Sequence, residues 1–175
     1  FMEFWNLVFP QFDAQADGTL NPLPRPGIDT GMGVERLALI MQGKRIIFET
    51  DVFAPLVDEV LAHRPRATPP TRVELRDARI VADHIRALAF AIAEGALPGN
   101  EGAGYVLRRL LRRAVTRLRS RQGLAIDDLM LPVLGRRVAE GFGDHSREPP
   151  ERLTQIVQVL AREEESFAAT YESGL

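Results

Sequence analysis

Residues 28–36 read Ile28-Asp29-Thr30-Gly31-Met32-Gly33-Val34-Glu35-Arg36, a strand end, a glycine turn and a helix start in one short run. Ile28-Asp29-Thr30 has the look of a strand's last residues. Gly31 and Gly33 allow a tight turn and a close approach of main chain to a ligand. Val34 to Met41 then has helical apolar spacing. A helix N-terminus behind a glycine turn is a ready anion site, because its first N–H groups lack partners. Arg36 adds a planar, bidentate phosphate donor in the first turns of that helix. Asp29 supplies a carboxylate for a cation such as an amine. The run therefore predicts a place where a nucleotide meets a small zwitterion. Its bland alternative is punctuation between two elements.

Working outward, residues 3–12 (Glu-Phe-Trp-Asn-Leu-Val-Phe-Pro-Gln-Phe) are aromatic and branched and predict a strand, with Pro10 marking an edge or bulge near its end. Asp17-Gly18 signals a hairpin turn, and Pro22, Pro24 and Pro26 stiffen the connector that follows. Past Gly43 the character changes. Asp51 is placed to cap a helix over 52–62, and the proline- and arginine-rich stretch 63–72 reads as a linker. Helices are expected over about 75–95, 101–121, 126–141 and 151–172, with Gly95, Gly123 and Gly141 near their ends and Pro149-Pro150 before the last. The fold class is thus α+β: a small antiparallel β piece, too small to stand as an independent sheet, followed by a mostly α-helical bundle. The expected parts are 1–62 and 73–175.

Apolar residues make up 45% of the 175 and charged residues 26%, ordinary values for a soluble globular chain. A net charge of −2 gives no global pull toward nucleic acid, so any such pull must be local. With no cysteine there is no disulfide or thiolate chemistry. His63, His84 and His145 lie far apart, without the spacing of a zinc site. No apolar run approaches the roughly 18 residues that span a bilayer. The chain opens on Phe1 within a strand pattern and closes just after a helix pattern, so a fragment of something longer is expected.

The local charge lies in residues 105–121. Leu107, Leu110, Leu111, Ala114, Val115 and Leu118 fill one arc of a helix, and Arg108, Arg109, Arg112, Arg113, Arg117, Arg119 and Arg121 fill the rest. Such a face suits phosphate backbones and makes binding salt-dependent. The alternative is a solvated face whose arginines pair with Glu163, Glu164 and Glu165. A glycine-rich loop, Leu97 to Gly104, precedes the helix. Its Asn100 carries an amide that could read a base edge, although spacing alone favours a helix cap. His84, in Val81-Ala82-Asp83-His84-Ile85-Arg86, reads as a structural hydrogen-bonder rather than a catalyst.

In order along the chain come Glu3-Phe4-Trp5-Asn6-Leu7-Val8-Phe9, then Ala16-Asp17-Gly18-Thr19-Leu20 with Pro22-Leu23-Pro24, then Asp29 to Arg36, then Ala82-Asp83-His84-Ile85-Arg86, and last Asn100-Glu101 with Gly104-Tyr105-Val106-Leu107-Arg108-Arg109. Each is modest alone. Together, in this order and nearly end to end, they resemble the alanyl-tRNA synthetases, the bacterial form most. The resemblance implies the C-terminal edge of a class II catalytic domain over 1–62 and a tRNA-recognition helical region over 73–175. Asp29–Arg36 would be the third class II signature motif. Arg36 would contact the ATP phosphates and Asp29 the α-ammonium of alanine. Asn6 and Val8 would line the amino-acid pocket, and Gly31 and Gly33 would let substrate approach. Asn100 would face an identity base pair of the tRNA acceptor stem from the minor groove, with Arg108, Arg109, Arg112 and Arg113 on the RNA. RNA minor grooves are wide enough for that contact. A methyl-sized pocket discriminates weakly, and the family is associated with editing.

The resemblance further implies alanine, ATP with Mg2+ and tRNA(Ala) as substrates of a cytoplasmic ligase, no zinc site in this part, and no membrane partner. Gly99 replaces the family's usual serine, Ala103 an arginine and Pro10 a methionine, and none of these positions carries an assigned role. The first two class II signature motifs and the editing domain are not in this sequence, so the chain is expected to be inactive alone. The competing expectation is a non-catalytic RNA-binding helical module.

Overall fold

The computed structural model describes residues 1–66, 68–143 and 150–173. Ala67 of the expected linker, His145 and Pro149 lie outside the described residues. The described chain is α+β, with two two-stranded antiparallel sheets and six α-helices, and it divides into two compact units, Phe1–Val52 and Phe53–Leu175.

In the first unit β1 (Trp5–Val8) pairs with β4 (Asp29–Met32), and β2 (Phe12–Ala14) pairs with β3 (Leu20–Pro22). The single strand expected over 3–12 is therefore two, with different partners. Pro10 lies in the break, where it lacks the N–H a ladder would need. The Asp17-Gly18 turn forms as expected. Gly18 takes a φ of +85°, and the Asp17 carboxylate accepts from the Thr19 N–H at 2.9 Å. That bond holds the Asp17 carboxyl below its usual range. The run at 28–36 differs from its expectation in one respect. Asp29 begins β4 rather than ending a strand, and Gly31 lies inside it. Neither Gly31 nor Gly33 has a positive φ. The turn falls at Gly33, which precedes α1 (Val34–Met41). A 3-10 turn at Ile47–Glu49 closes the unit. Asp51 caps no helix: its Oδ1 accepts from Gln42 Nε2 at 2.6 Å, and Asp51 N–H donates to Gln42 Oε1 at 3.1 Å.

The second unit holds α2 (Ala54–Ala62), α3 (Arg72–Ala93), α4 (Gly102–Arg119), α5 (Leu131–Gly143) and α6 (Pro150–Ser173). The expected boundary after residue 62 thus falls at the far end of α2, whereas the units divide before it. The reason is packing: Val57 and Val60 of α2 are buried, and α2 lies against α3 and α5. Helix α3 touches every other helix of the unit. Its Val81, Ile85, Leu88 and Ile92 recur at helical spacing and are fully buried. Leu111, Ala114, Val115 and Leu118 of α4, Leu131 and Leu134 of α5 and Leu160 of α6 complete the core. A reciprocal capping box starts α3: Glu74 N–H donates to Thr71 Oγ1 at 3.2 Å, and Thr71 N–H donates to Glu74 Oε2 at 2.7 Å. The Thr71 bonds hold the Glu74 carboxyl below its ordinary value, with Arg64 nearby adding to the effect.

The expected helix over 126–141 begins later, at Leu131, because Ile126 N–H donates to the Leu118 carbonyl at 2.8 Å and Ala125 sits at a φ of +53°. Pro132 lies in the first turn, where its missing N–H is harmless. Gly141 is inside α5 rather than after it. Among the described residues no helix is long and apolar enough to cross a membrane.

Candidate functional site

The β1/β4 register sets Asn6 opposite Gly31 and Val8 opposite Asp29. Directly opposed residues of an antiparallel pair project to the same face, and residues two apart along a strand share it. Asn6, Val8, Asp29 and Gly31 therefore lie on one face, and Trp5, Leu7, Thr30 and Met32 on the other. The second face locks the pair: the Trp5 indole N–H donates to Thr30 Oγ1, which donates to the Asn6 carbonyl at 3.0 Å. On the first face a Cβ added at Gly31 would meet nothing within 4 Å. The space above it is open, as a close-approaching substrate would need. Asn6 Nδ2 donates to Glu3 Oε1 at 2.7 Å.

Arg36 projects from the first turn of α1 and donates from Nη1 to the Glu3 carbonyl at 2.6 Å. Gly33 N–H donates to the Phe4 carbonyl at 3.0 Å. Both bonds tie the start of α1 to the start of β1. Among the described residues Arg36 has no acidic partner, so donors remain for an anion. No side chain caps α1 at Gly33. The structure thus brings Asn6, Val8, Asp29, Gly31, Gly33 and Arg36 onto one strand pair and the helix that follows it.

In the second unit the loop before α4 folds back on the helix. Gly99 N–H donates to the Gly104 carbonyl at 2.9 Å. A Cβ at Gly104 would stand 2.8 Å from the Leu97 carbonyl oxygen and 2.9 Å from Gly99 N, both main-chain atoms that cannot yield cheaply. Only glycine lets the loop lie this close. Asn100 does not cap α4, whose N-cap is Glu101 without a side-chain bond. Instead Asn100 Oδ1 accepts from Arg108 Nη1. Arg108 also grips Glu163 of α6 with two bonds, Nε to Oε2 at 3.1 Å and Nη2 to Oε1 at 2.8 Å. The Glu163 carboxylate holds the Arg108 guanidinium above its ordinary value.

The other arginines of α4 separate by position. Arg117 lies 3.8 Å from buried Asp77. Arg119 is 6% exposed and donates to Glu172 Oε1 at 2.7 Å and to the Asp127 carbonyl at 2.9 Å, and Arg121 pairs with Asp127 at 2.9 Å. Arg117 and Arg119 hold the C-terminal half of α4 in place, and Arg121 holds the turn that follows it. Arg109, Arg112 and Arg113 are exposed and have no acidic partner among the described residues. The Arg109 guanidinium lies 6.0 Å over the Tyr105 ring, and that of Arg112 lies 5.4 Å over Phe167. Gly99, Asn100, Tyr105, Arg108, Arg109 and Arg112 line one open cavity of about 220 Å³. Tyr105 and Gly99 are the members to which sequence gave no role, although Tyr105 stands in a quoted motif.

The acidic cluster also separates. Glu163 pairs with Arg108, whereas Glu164, 1% exposed, accepts from the N–H groups of Leu131 at 2.8 Å and Met130 at 3.3 Å at the start of α5. Burial pushes its carboxyl up to about 7, against those two bonds and Arg119, which pull it down. His84 is 7% exposed with Nδ1 3.0 Å from Asp83 Oδ2, a structural contact. Among the described residues no group of three or more His, Cys, Asp or Glu side chains could hold a metal ion.

Residues 1–175 match the family described as tRNA synthetases class II (A). The chain is 43% identical over its full length to an alanine–tRNA ligase of Shewanella amazonensis, 42% identical over 99% of its length to one of Chlorobium phaeovibrioides, and 45% identical over its full length to one of Halorhodospira halophila. It spans 19% to 20% of the length of these curated relatives.

Proposed function

The chain belongs to the class II tRNA synthetase family, and from that premise we propose that it is a piece of an alanine–tRNA ligase. The parent activates alanine with ATP, taken as its Mg2+ complex, and esterifies it to tRNA(Ala). In this reading residues 1–62 supply one wall of the alanine and ATP site. Arg36 takes the ATP phosphates, Asp29 the substrate ammonium, Asn6 and Val8 flank the methyl group, and Gly31 and Gly33 leave room for the ligand. Residues 73–175 hold the acceptor stem. The parent works in the cytoplasm.

One observation carries the reading: Arg109, Arg112 and Arg113 stand exposed on α4 without acidic partners among the described residues, beside an asparagine tethered in the same cavity. A helix face kept basic while its neighbours are neutralised suits a polyanion. Purified chain should bind an acceptor-stem RNA hairpin with a steep salt dependence, measured by fluorescence anisotropy. Arg109→Glu together with Arg113→Glu should weaken binding by roughly tenfold or more and flatten the salt slope. Binding unchanged by this pair would refute the interface.

The second unit has its own buried core, which favours a second reading, an RNA-binding module that works without catalysis. Alanine-dependent pyrophosphate exchange separates the two. The chain alone, with one of three signature motifs, should show none, and robust exchange would overturn the missing-motif argument.

A further inference from the structure

Arg108 is the central member of a three-residue relay whose ends lie 63 positions apart in sequence, Asn100 and Glu163. A guanidinium has five N–H donors and no acceptor. The Asn100 atom facing Arg108 must therefore be the amide oxygen, and the amide NH2 points away from it. Two bonds to Glu163 fix the guanidinium plane, and Arg108 Nη2 also donates to the Pro98 carbonyl at 3.5 Å. A planar fork held at one end cannot rotate at the other. The loop is held too, by the Gly99 to Gly104 bond. Glu163 itself is only about one-fifth exposed and does not line the Asn100 cavity, which it reaches only through Arg108.

From this relay we infer that Glu163 is a positioning residue: through Arg108 it turns Asn100 so that its amide presents donors, and thereby fixes which base-pair edge the loop accepts. The inference rests on the acceptor-stem reading above. A donor-only amide selects acceptors in an RNA minor groove, such as a pyrimidine O2, a purine N3 or a ribose 2′-hydroxyl. A freely rotating amide would offer its oxygen to a guanine N2 equally well and would discriminate less. Glu163, an acid in a basic neighbourhood, thus raises selectivity while lowering the general pull on phosphate.

The test measures affinity of the 175-residue chain for a panel of acceptor-stem hairpins in which a G·U wobble replaces a G–C pair at successive positions. The unmodified chain should prefer one placement by roughly tenfold. Glu163→Ala should bring the panel to within about threefold while leaving the tightest and weakest salt slopes alike. Glu163→Gln keeps one acceptor for Arg108 and should rescue part of the preference. The Asn100 side-chain amide resonances, followed by NMR, should shift in Glu163→Ala and much less in Glu163→Gln, with circular dichroism confirming that both variants keep their helices.

If both variants instead bind every hairpin more tightly with the preference intact, Glu163 acts only as a charge and the inference falls. If the unmodified chain shows salt-dependent binding and a preference that Glu163→Ala leaves untouched, the inference falls alone. If the unmodified chain binds no hairpin, the acceptor-stem reading falls and takes the relay with it.

Discussion

The two units carry their candidate residues in opposite ways. Within Phe1–Val52 only Leu39 and Thr50 are buried, while Trp5, Leu7, Val8, Phe12 and Met32 are half exposed. Its site residues are placed by backbone register and by bonds such as Arg36 to the Glu3 carbonyl. Within the second unit the site stands on a helix whose apolar face is largely buried, and Arg108 is placed there by an ion pair to a helix distant in sequence. A register is dictated locally, residue against residue, whereas an ion pair needs the whole bundle assembled. Damage to packing should therefore be severe in the second unit and slight in the first.

The sharpest contrast is Leu118→Ala against Leu7→Ala. Leu118 is fully buried, and truncation should cost about 2–5 kcal/mol in urea unfolding followed by helical circular dichroism. Leu7 is exposed, and its truncation should change the same curve by no more than about 0.5 kcal/mol. Equal losses would break the comparison.

Next comes the buried carboxyl. The folded state holds the Glu164 proton up to about pH 7, whereas an unfolded glutamate releases it near its ordinary value of 4.5. Between those values the folded state binds more protons, so this group's contribution is full below the lower value and is lost as pH rises through the upper one. The loss amounts to about 3 kcal/mol across the window. Glu164→Gln should remove that slope, seen as a stability difference from the unmodified chain that grows between about pH 5 and about pH 7.5. A constant difference would show that the carboxyl is ionised throughout.

A glycine pair tests the same contrast. Gly104→Ala would drive a Cβ against two main-chain atoms of the loop. It should cost about 1–3 kcal/mol and weaken hairpin binding by displacing Asn100. Gly31→Ala meets open space, so the fold should tolerate it to within about 0.5 kcal/mol. The smallest effects concern helix ends. Thr71→Ala removes half of a capping box and should cost about 1 kcal/mol. Asp51→Ala loses one exposed bond to Gln42 and should cost about 0.5 kcal/mol or less. Both differences are readable from thermal unfolding.

Helices were the most legible elements, because apolar spacing reports directly on a buried stripe: the expected span 101–121 forms as Gly102–Arg119. Ends were less so. Nothing near Ile126 announces that its N–H bonds to Leu118 and delays α5 to Leu131. Asn100 shows the same limit at the site. Local spacing favours a cap, yet Arg108 takes the amide oxygen and Glu163 holds Arg108 from 55 residues away. Sequence supplied the identities of the arginines and glutamates but not their pairing, which depends on where α6 returns across α4. In the first unit the sequence pattern located the strand regions and marked Pro10 as an interruption, while their bounds and the two separate ladders appeared only in the structure.

Helix α3 is the one element that all the others of its unit touch, and its consequence is a matter of exchange with solvent. A helix with a single neighbour can fray or detach in part. The stretch from Val81 to Leu88, where Val81, Ala82, Ile85 and Leu88 are fully buried, should open only when the surrounding helices separate. Its backbone amides should be the last to take up deuterium, and should do so together, at a rate that reports the stability of the entire bundle. The first turn of α4, beside the Asn100 loop, should exchange sooner, since that end of the helix can open without disturbing the core.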